Sequence, residues 1–210
     1  MSGYDGRRER VTGIGLERLV FFTDAVFAIA GTLLALELRL PASTGDTERA
    51  VSHGLVDVLP RLFSFLLSFF VIALYWLAHW RRFNVIVAAD ENLARLNFGL
   101  LVCVALIPFP TRVLGEHGDQ PAAVVLYAAV IAMTGVFSSL SWVYANGNGL
   151  VSHGRSARWV RLNTVRGLAV PAVFVATIPV ALISPSVAEW SWLLVFPLQA
   201  AIVRMVRQAA

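Results

Sequence analysis

Six stretches of the chain are long and apolar enough to cross a lipid bilayer, covering residues 19–40, 62–80, 93–114, 122–145, 163–183 and 187–206. No other feature constrains the fold as strongly. A spanning helix needs about 20 mostly apolar residues. Within hydrocarbon every backbone amide must find a partner inside the protein, which leaves helices for runs of this length. Turn-forming residues mark the boundaries: Pro41 with Ser43, Thr44 and Gly45, then Gly115 and Pro121, then Asn146 to Gly149, then Ser184 to Ser186. Pro171, Pro179 and Pro197 fall inside expected spans, where neighbouring helices can satisfy the freed carbonyls. Only 14% of the 210 residues are charged, against about 25% in a soluble domain. The connections are also short. The sequence therefore predicts an all-α, polytopic membrane protein, with one six-helix transmembrane domain over residues 1–210.

All 17 basic residues are arginines, and their positions orient the chain. Arg7, Arg8, Arg10 and Arg18 lie at the start of the first span, and Arg81, Arg82 and Arg95 between the second and third. Arg155, Arg158, Arg161 and Arg166 lie between the fourth and fifth, and Arg204 and Arg207 close the sixth. The opposite side holds Arg39, Arg49, Arg61 and Arg112. Thirteen against four places both termini of a multi-pass protein in the cytoplasm. No basic stripe interleaved with aromatics offers a surface for nucleic acid. Cys103, the only cysteine, sits in an apolar run and reads as a packed small residue; it supports neither an internal disulfide nor a cysteine-based metal site. The first apolar run carries an Ala-x-Ala pattern at Ala28 and Ala30, but Thr23 and Asp24 interrupt it and it continues to Leu38. A retained helix is expected rather than a cleaved leader.

That first run, RLVFFTDAVFAIAGTLLALEL from Arg18 to Leu38, separates into two faces. At about 100° per residue, Phe22, Ala25, Ile29, Thr32, Leu33 and Leu36 fall on one stripe roughly 100° wide, and Asp24 lies about 140° from Ile29. The carboxylate and the stripe therefore have different tasks. An ionisable group in a span normally faces protein or water and has a partner. The topology brings His79, Asn92, Arg95 and Asn97 to the depth of Asp24, so Asp24 is expected to tie the first span to the second and third through His79, Asn97 or an arginine. The alternative is a solvated carboxylate in the headgroup zone. By spacing alone, the stripe fits bundle packing or lipid contact better than a pore, and a pore-lining reading needs something more.

The same stretch resembles the opening signature of the transmembrane protein 175 family of potassium channels, in its prokaryotic branch: an Arg, then Phe-Ser-Asp, then a segment like Ala-Val-Phe-Ala-Ile-Ala, then Thr-Leu-Leu. Arg18, Phe22, Thr23, Asp24 and the residues at 25–30 and 32–34 carry the match. LYWLAHWRRF at 74–83 resembles the family's second helix through Trp76 and His79, and NLARLNFGLLVCVALIPFPTRVL at 92–114 resembles its third through Pro108, Phe109 and Thr111. Beyond about residue 115 the likeness is mostly topological. The resemblance implies six helices per subunit, assembled as a homotetramer around a potassium-conducting pore lined by the first helix, about 19–40. It implies a hydrophobic gate at Ile29 in place of a carbonyl-lined filter, with Thr32, Leu33 and Leu36 continuing the wall. Arg18, Phe22, Thr23 and Asp24 would form a structural motif at the cytoplasmic end of that helix, with Trp76, His79 and Asn97 as partners. No cofactor or metal is implied beyond the permeant potassium ion; the partners are further copies of the chain and the bilayer. Three positions depart from the pattern: Thr23 replaces the motif serine, Ile29 stands where leucine is common, and Gly31 where a larger residue is usual.

A hydrophobic neck of this kind gates by dewetting, and no span carries the arginine ladder of a voltage sensor. The rival from another class is a proton-coupled transporter of ions or small solutes, with Asp24 and His79 as its relay, since histidine titrates near neutral pH. Catalysis has less support. His53, His79, His117 and His153 are scattered, and neither a His-Glu-x-x-His sequence nor paired carboxylates occur. A purely structural membrane protein is the third alternative.

Overall fold

The computed structural model of the chain describes residues 12–39, 48–152 and 156–207. Arg7, Arg8, Arg10, Leu40, Pro41, Ser43, Thr44, Gly45, His153 and Arg155 lie outside the described residues, as do the side chains of Arg49 and Arg207. The elements run α1 (Ile14–Leu33), a 3₁₀ turn (Leu34–Glu37), α2 (Glu48–Asp57), α3 (Leu59–Phe83), α4 (Glu91–Leu106), α5 (Pro108–His117), α6 (Pro121–Gly147), α7 (Ala157–Ile183), α8 (Pro185–Ser191), a second 3₁₀ turn (Trp192–Leu194) and α9 (Val195–Arg207). Six helical stretches have the length and apolarity of membrane spans: Gly15–Glu37, Leu59–Phe83, Glu91–His117, Pro121–Gly147, Arg158–Ile183 and Pro185–Met205. Each answers to one span expected from the sequence.

Local chemistry explains most boundaries. Asp90 caps α4 by accepting the amide of Leu93 at 2.9 Å, and Ser156 caps α7 by accepting that of Trp159 at 3.1 Å. Pro60, Pro108 and Pro121 sit in the first turns of α3, α5 and α6, where a missing N–H has no helical acceptor to lose. Two features differ from the sequence expectation. The third span is two helices, because Pro108 and Pro110 cannot donate to the turn before them and α4 ends at Leu106. The connection after the first span contains α2, a ten-residue helix too short to cross a membrane.

Helix α6 forms the centre of the bundle and packs most extensively on α7, then on α4. Small residues permit this. Gly135 faces Pro171 so closely that a Cβ there would lie 2.6 Å from the proline ring. Fully buried Tyr127, Phe174 and Trp192 stack together, with ring centres 5.0 to 6.0 Å apart. Their polar tips are satisfied: Trp192 donates to Thr177 at 2.8 Å, and the Tyr127 and Ser68 hydroxyls bond at 3.0 Å. Helix α1 lies at the margin, against α4 and α3.

Candidate functional site

Helix α1 buries one narrow face. Thr23, Phe27, Ala30 and Leu34 are at most 3% exposed and recur at the three- and four-residue spacing of a packed helix. The opposite stripe is exposed within the single chain: Phe22, Ala25, Ile29, Thr32, Leu33 and Leu36. Ile29 and Leu36 are each 57% exposed. The stripe read from the angles is thus the side of α1 that its own chain does not cover. Its single hydroxyl, on Thr32, donates to the carbonyl of Ile29 at 2.9 Å. Just beyond the stripe, Glu37 faces Arg112 at 3.7 Å, and Arg61 donates to the carbonyl of Arg39 at 2.8 Å.

Midway along α1, and not at the cytoplasmic end where the sequence expected the motif, a chain of polar contacts joins three helices. The Asn97 amide on α4 donates to the hydroxyl of Thr23 at 2.7 Å, and that hydroxyl donates to the carbonyl of Leu19 at 2.8 Å. The amide oxygen of Asn97 faces His79 Nε2 of α3 at 3.2 Å. Since that oxygen only accepts, Nε2 carries the proton. His79 stacks on Phe83 at 4.1 Å between ring centres, and its Nδ1 is buried without a partner. Separately, the indole N–H of Trp76 donates to Asp24 at 2.9 Å. A groove of about 490 Å³ runs beside this contact between α1 and α3, lined by Asp24, Ala28, Thr32, Phe69 and Trp76 among others.

The sequence expected Asp24 to meet His79, Asn97 or an arginine. Among the described residues it meets Trp76, and His79 and Asn97 converge on Thr23 instead. Side-chain direction explains the exchange. Thr23 lies on the buried face, whereas Asp24 lies one helical step round from it, partly exposed and towards α3. Arg18 is exposed, and no described contact joins it to Asp24. Phe22 meets Phe98 of α4 edge to face at 5.8 Å. Asn92 turns away to Tyr144, and Arg95 pairs with Glu91. Among the described residues no hydrogen bond joins Asp24 to His79, so the pieces of a two-residue relay lie within electrostatic reach but are separately engaged. His53 and His117 are exposed, and among the described residues no three His, Cys, Asp or Glu side chains are placed to hold a metal ion. The hydroxyl role of Thr23 as hub was readable only in the motif, since a threonine in an apolar run carries no other signal.

Comparison with known proteins agrees with the motif. Residues 18–108 match the family model described as endosomal/lysosomal potassium channel TMEM175. A potassium channel of Streptomyces collinus is 34% identical over 130 residues, which cover 60% of this chain and 62% of that one. A potassium channel of Chamaesiphon minutus is 34% identical over 131 residues, covering 61% of this chain and 64% of that one. The chain therefore aligns with somewhat less than two thirds of each relative's length. The fold is similar to the crystal structure of a lysosomal potassium-selective channel TMEM175 homologue from Chamaesiphon minutus. The TM-score is 0.78 at 24% identity, with 92% of this chain and 99% of that one covered.

Proposed function

From the membership of residues 18–108 in the TMEM175 family, we propose that this chain is a potassium-selective cation channel that conducts passively. The observation that carries the reading is the exposed apolar stripe on α1, a membrane-length helix whose opposite face is fully packed. Closure of identical copies around an axis is the common way to cover such a face. In this reading four copies assemble in the plasma membrane with both termini cytoplasmic, each whole chain contributing one channel unit. The α1 stripes line the pore, and Ile29 forms its constriction with Thr32, Leu33 and Leu36 along the wall. Large apolar side chains in a ring gate by excluding water. Thr23 and Asp24, held by Asn97, His79 and Trp76, fix the angle at which the stripe is presented, with Arg18 and Phe22 completing the motif. The reading assigns no cofactor and no enzymatic activity.

The test is ion flux into liposomes holding the purified protein, with potassium, sodium and N-methylglucamine compared, for wild type and for Ile29→Ala and Ile29→Asn. Passive flux favouring potassium is expected, and the variants should conduct more or select less. A folded oligomer that passes no ions would remove the channel reading. Selective flux that ignores both substitutions would keep the channel and move the constriction elsewhere.

A further inference from the structure

His79 has one ring nitrogen accounted for and one that is not. The residue is 3% exposed, and its Nε2 faces the Asn97 oxygen at 3.2 Å. Its Nδ1 is buried without a hydrogen-bond partner. With the proton on Nε2, Nδ1 is an acceptor, and a buried acceptor without a donor is disfavoured and rare in native interiors. The aromatic rings beside it, Phe83 at 4.1 Å and Phe27 at 6.1 Å between centres, carry no N–H or O–H.

A donor lies one helical turn on. Arg82 shares the face of α3 that carries His79 and is 7% exposed. Its Nη1 donates to both the carbonyl and the hydroxyl of Ser138 on α6, at 2.6 and 2.7 Å. Among the described residues Nε and Nη2 engage no acceptor, so they keep N–H groups to offer. His79 and Arg82 line one cavity, together with Ser138 and Ser141 of α6 and otherwise apolar side chains. Every residue around it is at most 9% exposed, so it is interior. It leaves about 10 Å³ for the centre of a water molecule, close to the least that holds one water. Ser141 donates to the carbonyl of Phe137 at 2.9 Å, and its oxygen is left to accept.

We propose that this cavity is the site of a structural water that joins His79 to Arg82. The water donates to Nδ1 of His79 and to the oxygen of Ser141, and accepts an N–H of Arg82. A typical buried water bonds in this way, making about 3 hydrogen bonds to polar groups that are otherwise unsatisfied. The volume excludes a larger ligand, and the walls supply both an acceptor and a donor, which a dry apolar void does not. The bridge completes a polar chain from the Leu19 carbonyl through Thr23, Asn97, His79 and Arg82 to Ser138. Helix α1 is thereby tied through α4 and α3 to the central helix α6. His79 is then a joint with partners on both nitrogens, and Arg82 is its positioning residue. The inference does not rest on conduction and stands if the channel reading fails.

The test is nuclear magnetic resonance of the full chain in detergent micelles, with isotopically labelled histidine. His53→Gln, His117→Gln and His153→Gln together leave His79 as the only histidine. The expected spectrum has a proton on Nε2 and none on Nδ1, with direct magnetisation transfer from water to the carbon-bound ring protons. Ser141→Val puts apolar atoms into the cavity. It should abolish the transfer and move the Nδ1 resonance to the position of a nitrogen without a hydrogen bond. A proton on Nδ1 would remove the acceptor and overturn the bridge. A bare Nδ1 with no transfer from water would mean a dry cavity and overturn it as well. Transfer of full size in a folded Ser141→Val variant would place the water elsewhere and overturn the site. If Ser141→Val does not fold, Arg82→Met replaces it, since it deletes the N–H donors and keeps an unbranched chain. The transfer should then fall by half or more, and full-sized transfer would remove Arg82 from the bridge. The spectrum of the protein with Ser141 and Arg82 intact decides between a wet and a dry cavity by itself.

Discussion

Helices α1 and α6 are about equally apolar and both long enough to cross a membrane, yet the chain treats them in opposite ways. In α1, 28% of the apolar stretch is buried inside the chain, and in α6, 56%. Helix α6 earns its central place through small and hydroxyl-bearing residues: Ala128, Ala132, Gly135, Ser138 and Ser141 let α4 and α7 approach closely. In a bilayer the surroundings are as apolar as the side chains, so close packing and polar contacts, rather than burial from water, hold helices together. Helix α1 has fewer such contacts. It is tied by a narrow face and two polar bonds near its middle, through Thr23 and Asp24. Apolarity tells which residues are in the membrane. Side-chain size and hydroxyl placement tell which helix is the core and which is free to present a face to something else.

The comparison breaks most directly at α6. Gly135→Leu would drive a branched side chain into Pro171, a rigid ring on a neighbouring helix. The expected cost is about 3 kcal/mol or more, read as loss of monodisperse protein in mild detergent or a large fall in Tm. Near-normal Tm would mean that α6 and α7 are not the close-packed pair described.

Next in size is the tie on α1. Asn97→Ala removes the shared partner of Thr23 and His79 and leaves the buried imidazole N–H without an acceptor. Burying an unsatisfied donor costs about 1 to 3 kcal/mol, so Tm measured in one detergent should fall, though less than in Gly135→Leu. Trp76→Phe keeps an aromatic ring and deletes only the bond to Asp24. Both side chains are partly exposed, and water can replace the indole, so about 0.5 to 1 kcal/mol is expected. Equal losses in the two variants would place Thr23 and Asp24 on the same footing and contradict the buried-versus-peripheral distinction drawn from the geometry.

The six spans, and the grouping of six α1 residues on one stripe, were legible in the sequence because both follow from residue type and helical spacing; that the stripe is the uncovered side was not, since the buried side with Phe27, Ala30 and Leu34 is also apolar. The partner of Asp24 was not legible from helical geometry; Trp76 came only with the family resemblance, as one of three partners for the whole motif. Depth narrowed the choice to a handful of polar groups at one level, but which one is met depends on the azimuth of α3 and α4, and no single-helix argument sets that. The break at Pro108 was visible as a proline pair but not as an interruption, since the hydropathy of the third span is continuous across it. Arg82 was counted among the arginines that orient the chain, a sound use of its charge; that it folds inward to Ser138 depends on the small residues of α6 and α7 facing it.

The smallest stability effect is expected where the functional effect should be clear. Ile29 is 57% exposed and its side chain has little packing within the chain to lose. Truncation to alanine at such a position falls within about 0.5 kcal/mol, whereas Leu34, fully buried only five residues on, should lose about 2 to 5 kcal/mol on the same change. Measured side by side in Tm, the two variants test the division of α1 into a held face and a presented face without reference to ion flux. An Ile29→Ala variant as unstable as Leu34→Ala would mean that the stripe is packed against something structural, such as a helix of a second copy in tight contact, and not against a pore or lipid. A stable Ile29→Ala variant leaves any change in its flux attributable to the constriction itself, because the helix that carries it would be held as before.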